Sequence, residues 1–171
     1  MSGIRLRRAT VDDVPTLERW DADPDVISAT TDDDNVDRAF GGLDWRDELS
    51  QSSDVSYYLI AELDGRPIGA MQICDPHGEP THYWGEIEPH LRAMDIWIGS
   101  SADRGKGYGA EMMRQAHALC FANPRVTAIV IDPLASNIRA HAFYQRLGYV
   151  VVGPRVFGDD LCLVHRLARI D

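Results

Sequence analysis

Apolar and polar residues along the chain follow two periods, the alternation typical of strands and the three-to-four-residue spacing typical of helices. Thr10 ahead of two aspartates signals a helix N-terminus, Ser136 is the predicted cap of a later helix, and Gly148 signals the end of that helix. The pattern predicts strands at residues 4–9, 55–63, 68–74, 91–99, 126–131, 149–157 and 161–167. It predicts helices at 10 to about 22, at about 35 to 51 with an interruption at Gly41-Gly42, at 109 to the Asn-Pro pair at 123–124, and at 136–147.

The order of these elements, β-α-α-β-β-β-α-β-α-β-β, predicts a single α/β domain over residues 1–171. Strand-helix-strand segments on both sides of residue 108 imply a central mixed β-sheet flanked by helices on both faces. A chain of 171 residues buries enough surface to fold without disulfides or a metal.

The net charge of −10 argues against a nucleic-acid partner, because a basic binding face would be hard to maintain on such a chain. The acidic residues concentrate at 12–54, where 14 Asp and Glu stand against three Arg, a local net charge of −11. Such a segment forms either a solvated face or a surface that attracts a cation.

Several absences in the sequence bear on compartment. No apolar stretch approaches the roughly 20 residues needed to span a bilayer, and the basic N-terminal residues precede no apolar segment of a signal peptide. Three widely spaced cysteines indicate reduced thiols, and the six histidines form no metal-ligand spacing with them. We therefore expect a cytoplasmic protein without a metal or a membrane segment, present as a monomer or a homodimer.

A glycine-rich turn, Arg-Gly-Lys-Gly-Tyr-Gly at residues 104–109, lies between a predicted strand and a predicted helix. Glycines let the backbone approach a ligand closely, and a helix N-terminus presents unpaired N–H groups and a partial positive charge. The turn lacks the Lys-Ser/Thr end of a P-loop and does not continue as a dinucleotide-binding fingerprint. It predicts an anion site, the alternative being a helix start with flexible glycines.

The Arg-x-x-Gly-x-Gly spacing of this turn resembles motif A of the GNAT superfamily of acetyl-CoA-dependent N-acetyltransferases. Residues 136–149, SNIRAHAFYQRLGY, resemble the second signature of that family, Asn-x-x-Ala-x-x-Phe-Tyr-x-x-Leu-Gly-Phe. The resemblance covers essentially the whole chain and implies the GNAT fold with acetyl-CoA as cofactor and coenzyme A as product.

The resemblance also implies which residues hold the cofactor. The amides of the turn would cradle the pyrophosphate, the strand edge at 96–99 would pair with the pantetheine arm, and an N–H near Ile98 would polarise the acetyl carbonyl. Tyr144 would protonate the leaving thiolate, unless it is a packed aromatic on the helix. The cofactor-binding residues so implied are Trp97, Ile98, Arg104, Gly105, Lys106, Gly107, Tyr108, Gly109, Asn137 and Arg139.

Within the superfamily, the resemblance is greatest to the aminoglycoside 6′-N-acetyltransferases, through segments 63–69, 92–95, 105–109, 123–127 and 131–140. In that family, one Asp of the central strand and one Asp before Pro on the next strand face the sugar amines. These are the positions of Asp95 and Asp132 here. An amine of pKa about 8–9 is mostly an ammonium at pH 7, so a carboxylate, directly or through water, must accept a proton before attack. Asp95, Asp132 and Tyr144 are therefore the predicted catalytic residues, and the resemblance leaves open which aspartate accepts the proton.

A loop at residues 83–88 brings aromatic and acidic side chains just before the central strand. Aromatic faces stack on sugar rings and carboxylates bind ammonium groups, whereas the alternative is an ordinary surface loop. The acidic region 12–54 would form the other wall of the cleft. Trp97, Gly99 and the acidic run 32–34 depart from the family's pattern. The predicted substrate-binding residues are Tyr83, Trp84, Glu86, Glu88, Asp95 and Asp132.

Three other functions are alternatives, and the sequence speaks against two of them. Residues 94–99 and 104–109 also resemble acetyltransferases of ribosomal-protein N-termini, which would act on a peptide α-amine. Siderophore hydroxylysine acyltransferases usually carry a His near the central strand, where Trp97 stands here. A CoA-binding regulatory domain would not need Asn137, Tyr144 or the acidic pair. The sequence favours direct acetyl transfer, in a ternary complex, to a polycationic small-molecule amine, namely the 6′-amine of an aminoglycoside.

Overall fold

The computed structural model of the chain describes residues 3–170. Met1, Ser2 and Asp171 lie outside the described residues. The prediction that the chain has no signal peptide therefore rests partly on residues that the structure does not describe. The strands are β1 (Ile4–Arg8), β2 (Ser56–Leu63), β3 (Arg66–Cys74), β4 (Leu91–Ile98), β5 (Ala128–Ile131), β6 (Val150–Phe157) and β7 (Asp160–Ala168). The α-helices are α1 (Val14–Asp21), α2 (Pro24–Thr30), α3 (Trp45–Ser50), α4 (Tyr108–Phe121) and α5 (Ile138–Arg146).

The strands form one seven-stranded sheet in the order β1-β2-β3-β4-β5-β7-β6. Each pair of neighbours is antiparallel except β4 and β5, which run parallel. The sheet is therefore mixed, as the order of predicted elements required. The fold class is confirmed.

The parallel contact between β4 and β5 is short. Residues 91–93 of β4 pair with 128–130 of β5. Beyond that point β4 continues along β3 as far as Ile98, but within the described chain its other edge has no partner strand. The two halves of the sheet therefore separate, and a gap opens beside the second half of β4.

Helices cover both faces of the sheet. On one face, Met94 of β4 packs in a cluster with Met112 of α4 and Tyr144 of α5. On the other face, Trp97 of β4 packs with residues of α1 and α3. Because side chains alternate along a strand, Asp95 projects from the same face as Trp97, opposite α4 and α5.

The second predicted helix, at about 35 to 51, is wrong over most of its length. Only α3 is helical there, because Gly41 and Gly42 adopt positive φ angles of 66° and 75° and break the pattern. Conversely, α2 forms where a loop was predicted. The Asp23 carboxylate caps its N-terminus, and Pro24 occupies the first helical position, where its missing N–H has no intrahelical role.

The acidic run 32–34 begins with a contact that crosses the molecule. Thr31 Oγ1 and the Asp32 amide each donate to the Asp160 carboxylate at 3.0 Å. Ser136 Oγ donates to Asp32 at 2.7 Å, so its predicted role as the cap of α5 is wrong. Asn137 is the cap instead, since its Oδ1 accepts the Ala140 amide at 3.1 Å. The loop after α2 is thereby fastened to the half of the sheet that contains β7.

We expect Gly99→Ala to destabilise the end of β4. A Cβ at Gly99 would overlap the indole ring of Trp20, so either the ring or the strand end must move. Overpacking of this kind costs about 1–3 kcal/mol in the free energy of unfolding, which urea denaturation measures. Gly109→Ala is the matched control, because its new Cβ would meet Phe143 at an ordinary 3.4 Å. Wild-type stability in Gly99→Ala would show that Trp20 does not confine this position.

Candidate functional site

A continuous cleft of about 1550 Å³ follows the gap between β4 and β5. Residues of α4 and α5 line it on one face of the sheet, and residues of α2, α3 and the 75–90 loop line it on the other. A ligand in this cleft therefore contacts the exposed edge of β4 and both helical layers.

The second half of β4 offers main-chain groups to the gap. The Gly99 amide donates to Ile68 O on β3 at 2.9 Å. Because the main-chain N–H and C=O groups of successive strand residues point to opposite edges, the N–H of Ile98 faces the gap. The main chain of Trp97 faces β3, and its side chain is buried with Phe40 at a ring distance of 4.6 Å. Trp97 still lines the cleft, on the face of the sheet opposite α4 and α5, so its role in binding the cofactor stays a prediction.

The glycine-rich turn opens α4 at the mouth of the cleft. Gly105 and Gly107 have positive φ angles of 70° and 83°, and a Cβ on either would meet nothing within 4 Å. The turn is therefore an open surface of main chain ahead of a 14-residue helix. Asp103 anchors it from below, accepting two hydrogen bonds of 2.8 and 2.9 Å from Arg66.

The side chain of Arg104 is engaged with protein groups. Its guanidinium donates to Ile98 O at 3.0 Å and to the Asp25 carboxylate at 2.7 Å. These bonds tie the end of β4 to α2. The main chain of Arg104 belongs to the turn and lines the cleft, so its predicted role through the backbone amide stays a prediction.

The wall formed by α4 and α5 carries positive charge. Asn137, Arg139, Tyr108 and Gly109 all line the cleft as predicted, but Lys106 is exposed outside its lining. Arg114 and Arg146 also line this wall and were missed. Arg146 follows Arg139 by seven residues, which is about two helical turns, so the two side chains lie on the same face of α5. This spacing in the sequence could have identified Arg146.

Tyr144 lies between the core and the cleft. Only 6% of it is exposed, and its ring packs edge-on against Phe143 at 5.2 Å and Tyr149 at 5.7 Å. It also lines the cleft. Burial raises the pKa of the Tyr144 hydroxyl, and the charges of Asp95 and Asp132 raise it further, so the hydroxyl stays protonated at neutral pH. Tyr144 can therefore both pack its ring in the core and carry a proton on its hydroxyl beside the cleft.

Asp95 and Asp132 both line the cleft, one in the middle of β4 and the other directly after β5. The Asp95 carboxyl lies on the floor of the open cleft. Many protein atoms lie around it, but the side chain remains accessible to solvent through the cleft. Burial raises the pKa of Asp95. Burial also raises the pKa of Asp132, and the charge of Asp95 adds to that rise. The structure therefore brings together the two carboxylates that the sequence singled out.

Tyr83 is the third member of this group. Its hydroxyl donates to Asp132 Oδ2 at 2.7 Å, and its ring stacks on Phe157 at 4.8 Å with an interplanar angle of 9°. The side chain remains 53% exposed and lines the cleft. Phe157 was missed, because only the pairing of β6 with β7 brings it to this place.

The two acidic residues of the 83–88 loop do not act as predicted. Trp84 is 4% exposed and packs edge-on against Phe157. Glu88 pairs with Arg166 at 2.6 Å, and neither Glu86 nor Glu88 lines the cleft. As substrate-binding residues, Glu86 and Glu88 are therefore wrong, because the loop turns them away from the gap. Trp84 lines the cleft from a buried position, and its role in binding the substrate stays a prediction.

The acidic region 12–54 supplies part of the opposite wall, as predicted. Asp25 and Glu48 line the cleft from this region. Glu48 accepts the Tyr58 hydroxyl at 3.0 Å. Glu79 and Asp160 add carboxylates from outside the region and were missed. The floor and one wall of the cleft are thus acidic, opposite the arginines of α4 and α5.

The side chains and helices of residues 3–170 also bear on a metal site and on a membrane span. No group of three or more His, Cys, Asp or Glu side chains in this part of the chain is arranged to hold a metal ion. No helix in the same range is long and apolar enough to cross a membrane.

A mixed sheet that splays beside its central strand, with a glycine-rich turn at the gap, is the architecture of the N-acetyltransferase class that the motifs predict. The chain belongs to the acetyltransferase (GNAT) domain family, whose profile matches residues 9–157.

Among individual proteins, the chain is similar to enzymes that modify aminoglycosides and to a resistance protein. The aminoglycoside N(6′)-acetyltransferase type 1 of Klebsiella pneumoniae is 36% identical over 102 residues, 59% of this chain and 50% of that protein. The chain is thus matched to about half the length of this relative. A kanamycin resistance protein of Rhizobium radiobacter is 35% identical over 72 residues, 42% of this chain and 67% of that protein.

Solved structures extend the likeness over nearly the whole fold. The aminoglycoside acetyltransferase AAC(6′)-Ib in complex with coenzyme A and kanamycin superposes with a TM-score of 0.80 at 28% identity, covering 97% of this chain and 95% of that one. AAC(6′)-Ib with ribostamycin and coenzyme A gives a TM-score of 0.83 at 26% identity, covering 98% and 94%.

We expect Asp95→Asn to stabilise the protein at neutral pH. The pKa of Asp95 is raised in the folded state, so ionising it costs stability above that pKa, and the cost vanishes below the unfolded value of about 3.9. Because the carboxylate still reaches water, the gain should be only about 1 kcal/mol at pH 8, fading toward pH 4. Thermal unfolding across this pH range measures it.

Asp13→Asn is the control of opposite sign. Burial alone would raise the pKa of Asp13, but two hydrogen bonds of 2.8 Å from Arg7 and one from Thr10 outweigh it and lower the pKa. This variant should lose stability at pH 8. A loss of stability in Asp95→Asn as well would show that the Asp95 carboxylate is a stabilising group.

Proposed function

We propose that this protein transfers the acetyl group of acetyl-CoA to the 6′-amine of an aminoglycoside by direct transfer in a ternary complex. The observation that carries the proposal is the position of Asp95 and Asp132 on the acidic floor of the cleft, beside the unpaired edge of β4. A carboxylate pair at this place suits a polycationic amine, which it attracts and from which it accepts a proton. The likeness to AAC(6′)-Ib over nearly the whole chain supports the same substrate class.

The residues along the gap fit acetyl-CoA. The open main chain at Gly105 and Gly107, at the N-terminus of α4, suits a pyrophosphate. Arg139 and Arg146 add positive charge to the same wall. The N–H of Ile98 and the unpaired edge of β4 suit an extended chain carrying amide groups, as pantetheine does.

The chemical step can be written from this chain's own groups. Bound acetyl-CoA supplies an acetyl thioester, whose C–S bond breaks as the new N–C bond forms. Asp95 or Asp132, directly or through water, accepts the proton that the ammonium loses. The Ile98 N–H donates to the acetyl oxygen as negative charge develops there. The hydroxyl of Tyr144 donates a proton to the departing thiolate and regains one, through water, from the attacking nitrogen, which loses its second proton as the amide forms. The carboxylate then releases its proton to solvent, so an ammonium and acetyl-CoA give an amide, coenzyme A and one proton.

We further propose that residues 1–171 act as one acetyltransferase domain in the cytoplasm. The reduced thiols expected of the three cysteines suit that compartment. Whether the working form is a monomer or a homodimer is a separate question that the site does not depend on, since one copy carries all of the groups named above.

The first test is thiol release from acetyl-CoA by the purified protein. We expect turnover with kanamycin and ribostamycin, which carry 6′-amines, and none with an analogue in which the 6′-amine is replaced by a hydroxyl. A peptide with a free α-amine and free hydroxylysine complete the panel. Release with the peptide or hydroxylysine alone would overturn the aminoglycoside proposal and leave an acetyltransferase of another amine.

The second test uses Asp95→Asn, the variant expected to be more stable. Loss of a general base lowers the rate about 100-fold or more, so we expect kcat with kanamycin to fall by that factor. The affinity for acetyl-CoA, measured by calorimetry, should not change, because Asp95 projects from the face opposite α4 and α5. Asp54→Asn is the control, since Asp54 is fully exposed and lies outside the cleft. Near-normal turnover in Asp95→Asn would remove Asp95 from the catalytic group.

A further inference from the structure

Tyr83 is held in place by contacts at both of its ends. Its amide donates to Glu79 Oε1 at 2.8 Å, and Glu79 also accepts the Thr81 amide and hydroxyl at 2.8 and 2.6 Å. Its ring lies flat on Phe157, which belongs to β6 in the other half of the sheet. The hydroxyl reaches Asp132 at the end of these constraints, so this hydrogen bond is built into the loop and the sheet together.

The hydrogen bond favours the ionised form of Asp132, although burial and the charge of Asp95 still raise its pKa to about 7. A phenolic O–H that donates to a carboxylate stabilises the ionised form of the carboxylate and holds it in one orientation. Burial and the nearby charge of Asp95 act in the opposite direction on Asp132. Asp95, in contrast, accepts no side-chain hydrogen bond from the described part of the chain. The two carboxylates of the cleft are therefore supported unequally.

We propose that Tyr83 is a positioning residue that aims Asp132 at the bound amine and favours its ionised form, against the burial and the Asp95 charge that oppose ionisation. The inference rests on the proposed function and adds a role that the sequence did not suggest, since Tyr83 was predicted to act through its ring. The hydroxyl, and not only the aromatic face, is then required.

Other groups near Asp132 also bear on its charge. Arg155 on β6 favours the ionised form, whereas Asp95 on β4 opposes it. Cys162 on β7, Cys74 on β3 and Tyr144 on α5 also feel the Asp132 charge, but burial raises the pKa of each, so they are neutral at pH 6–9. Tyr83 is thus the neutral group that bonds directly to Asp132, and its removal changes that bond without changing a formal charge.

The test is the Tyr83→Phe variant, which keeps the ring and its stack on Phe157 but removes the donor. Loss of a hydrogen bond to a charged group should move the acidic limb of kcat/KM for kanamycin upward by about one pH unit. At pH 6.5 we expect a loss of about tenfold in kcat/KM, through KM for kanamycin, and at pH 8.5 less than about twofold. KM for acetyl-CoA should not move.

Tyr149→Phe is the matched control. Tyr149 also has a hydrogen-bonded hydroxyl, 2.9 Å from His117 Nε2, but it lies in the core outside the cleft lining. Its loss should leave the pH profile where it is. If Tyr83 has only a structural role, Tyr83→Phe will lower the melting temperature, or lower activity equally at all pH values. An unmoved acidic limb in Tyr83→Phe would overturn the inference.

A second measurement separates this inference from the proposed function. The carboxyl ¹³C signal of Asp132, assigned by its absence from Asp132→Asn, is titrated in wild type and Tyr83→Phe without substrate. We expect the midpoint in Tyr83→Phe to lie about one pH unit higher. If wild type acetylates no aminoglycoside, the proposed function fails, and an unshifted midpoint would independently overturn the role of Tyr83.

Discussion

The short parallel contact between β4 and β5 is the constraint on which the rest of the site depends. Three residues of each strand pair, and then the strands diverge. If the ladder continued, the N–H of Ile98 would be bonded within the sheet and the α4–α5 face would be sealed from the opposite face. Because it stops, one strand edge remains available, and side chains from both helical layers reach a single cleft. Main-chain groups of β4 that do not pair within the sheet are thereby available to a ligand.

The gap also keeps apart positive and negative side chains, which would neutralise each other if they were in contact. Arginines of α4 and α5 stand on one side, while Asp95, Asp132 and Glu48 stand on the other. The Debye length at physiological salt is about 8 Å, so each side sets its own local potential. A chain of net charge −10 can therefore present a positive wall to an anion and an acidic floor to a polycation.

The features that the sequence predicted well are those encoded locally. The glycine turn and the end of α5 at Gly148 each depend on a glycine that tolerates a positive φ angle. Asp95 and Asp132 were identified through the family resemblance, because they occupy the motif positions whose carboxylates face the sugar amines in the aminoglycoside 6′-N-acetyltransferases. Local patterns do not specify distant partners, so the bonds of Arg104 to α2 and of Ser136 to Asp32 had no sequence signal.

The acidic segment at 12–54 shows the same limit. Its charge suggested one surface, but many of its carboxylates are engaged elsewhere. Asp23 and Asp44 cap helices. Asp21 is buried and accepts the Phe40 amide and the Trp45 indole N–H, which shapes the loop before α3. Composition therefore overstated how much of the segment faces the cleft.

The cleft retains an arrangement that folding alone would disfavour. Two carboxylates sharing a partly buried site repel each other, and replacing either by a neutral group would relieve that repulsion. What offsets the cost at Asp132 is a neutral donor, Tyr83, whose own position depends on Glu79 in the loop and Phe157 on β6. The ring of Tyr83 is the support, and its hydroxyl is the group that contacts the carboxylate. A hydrogen bond from the loop before β4 to the end of β5 thus supports the acidic floor from both sides of the gap.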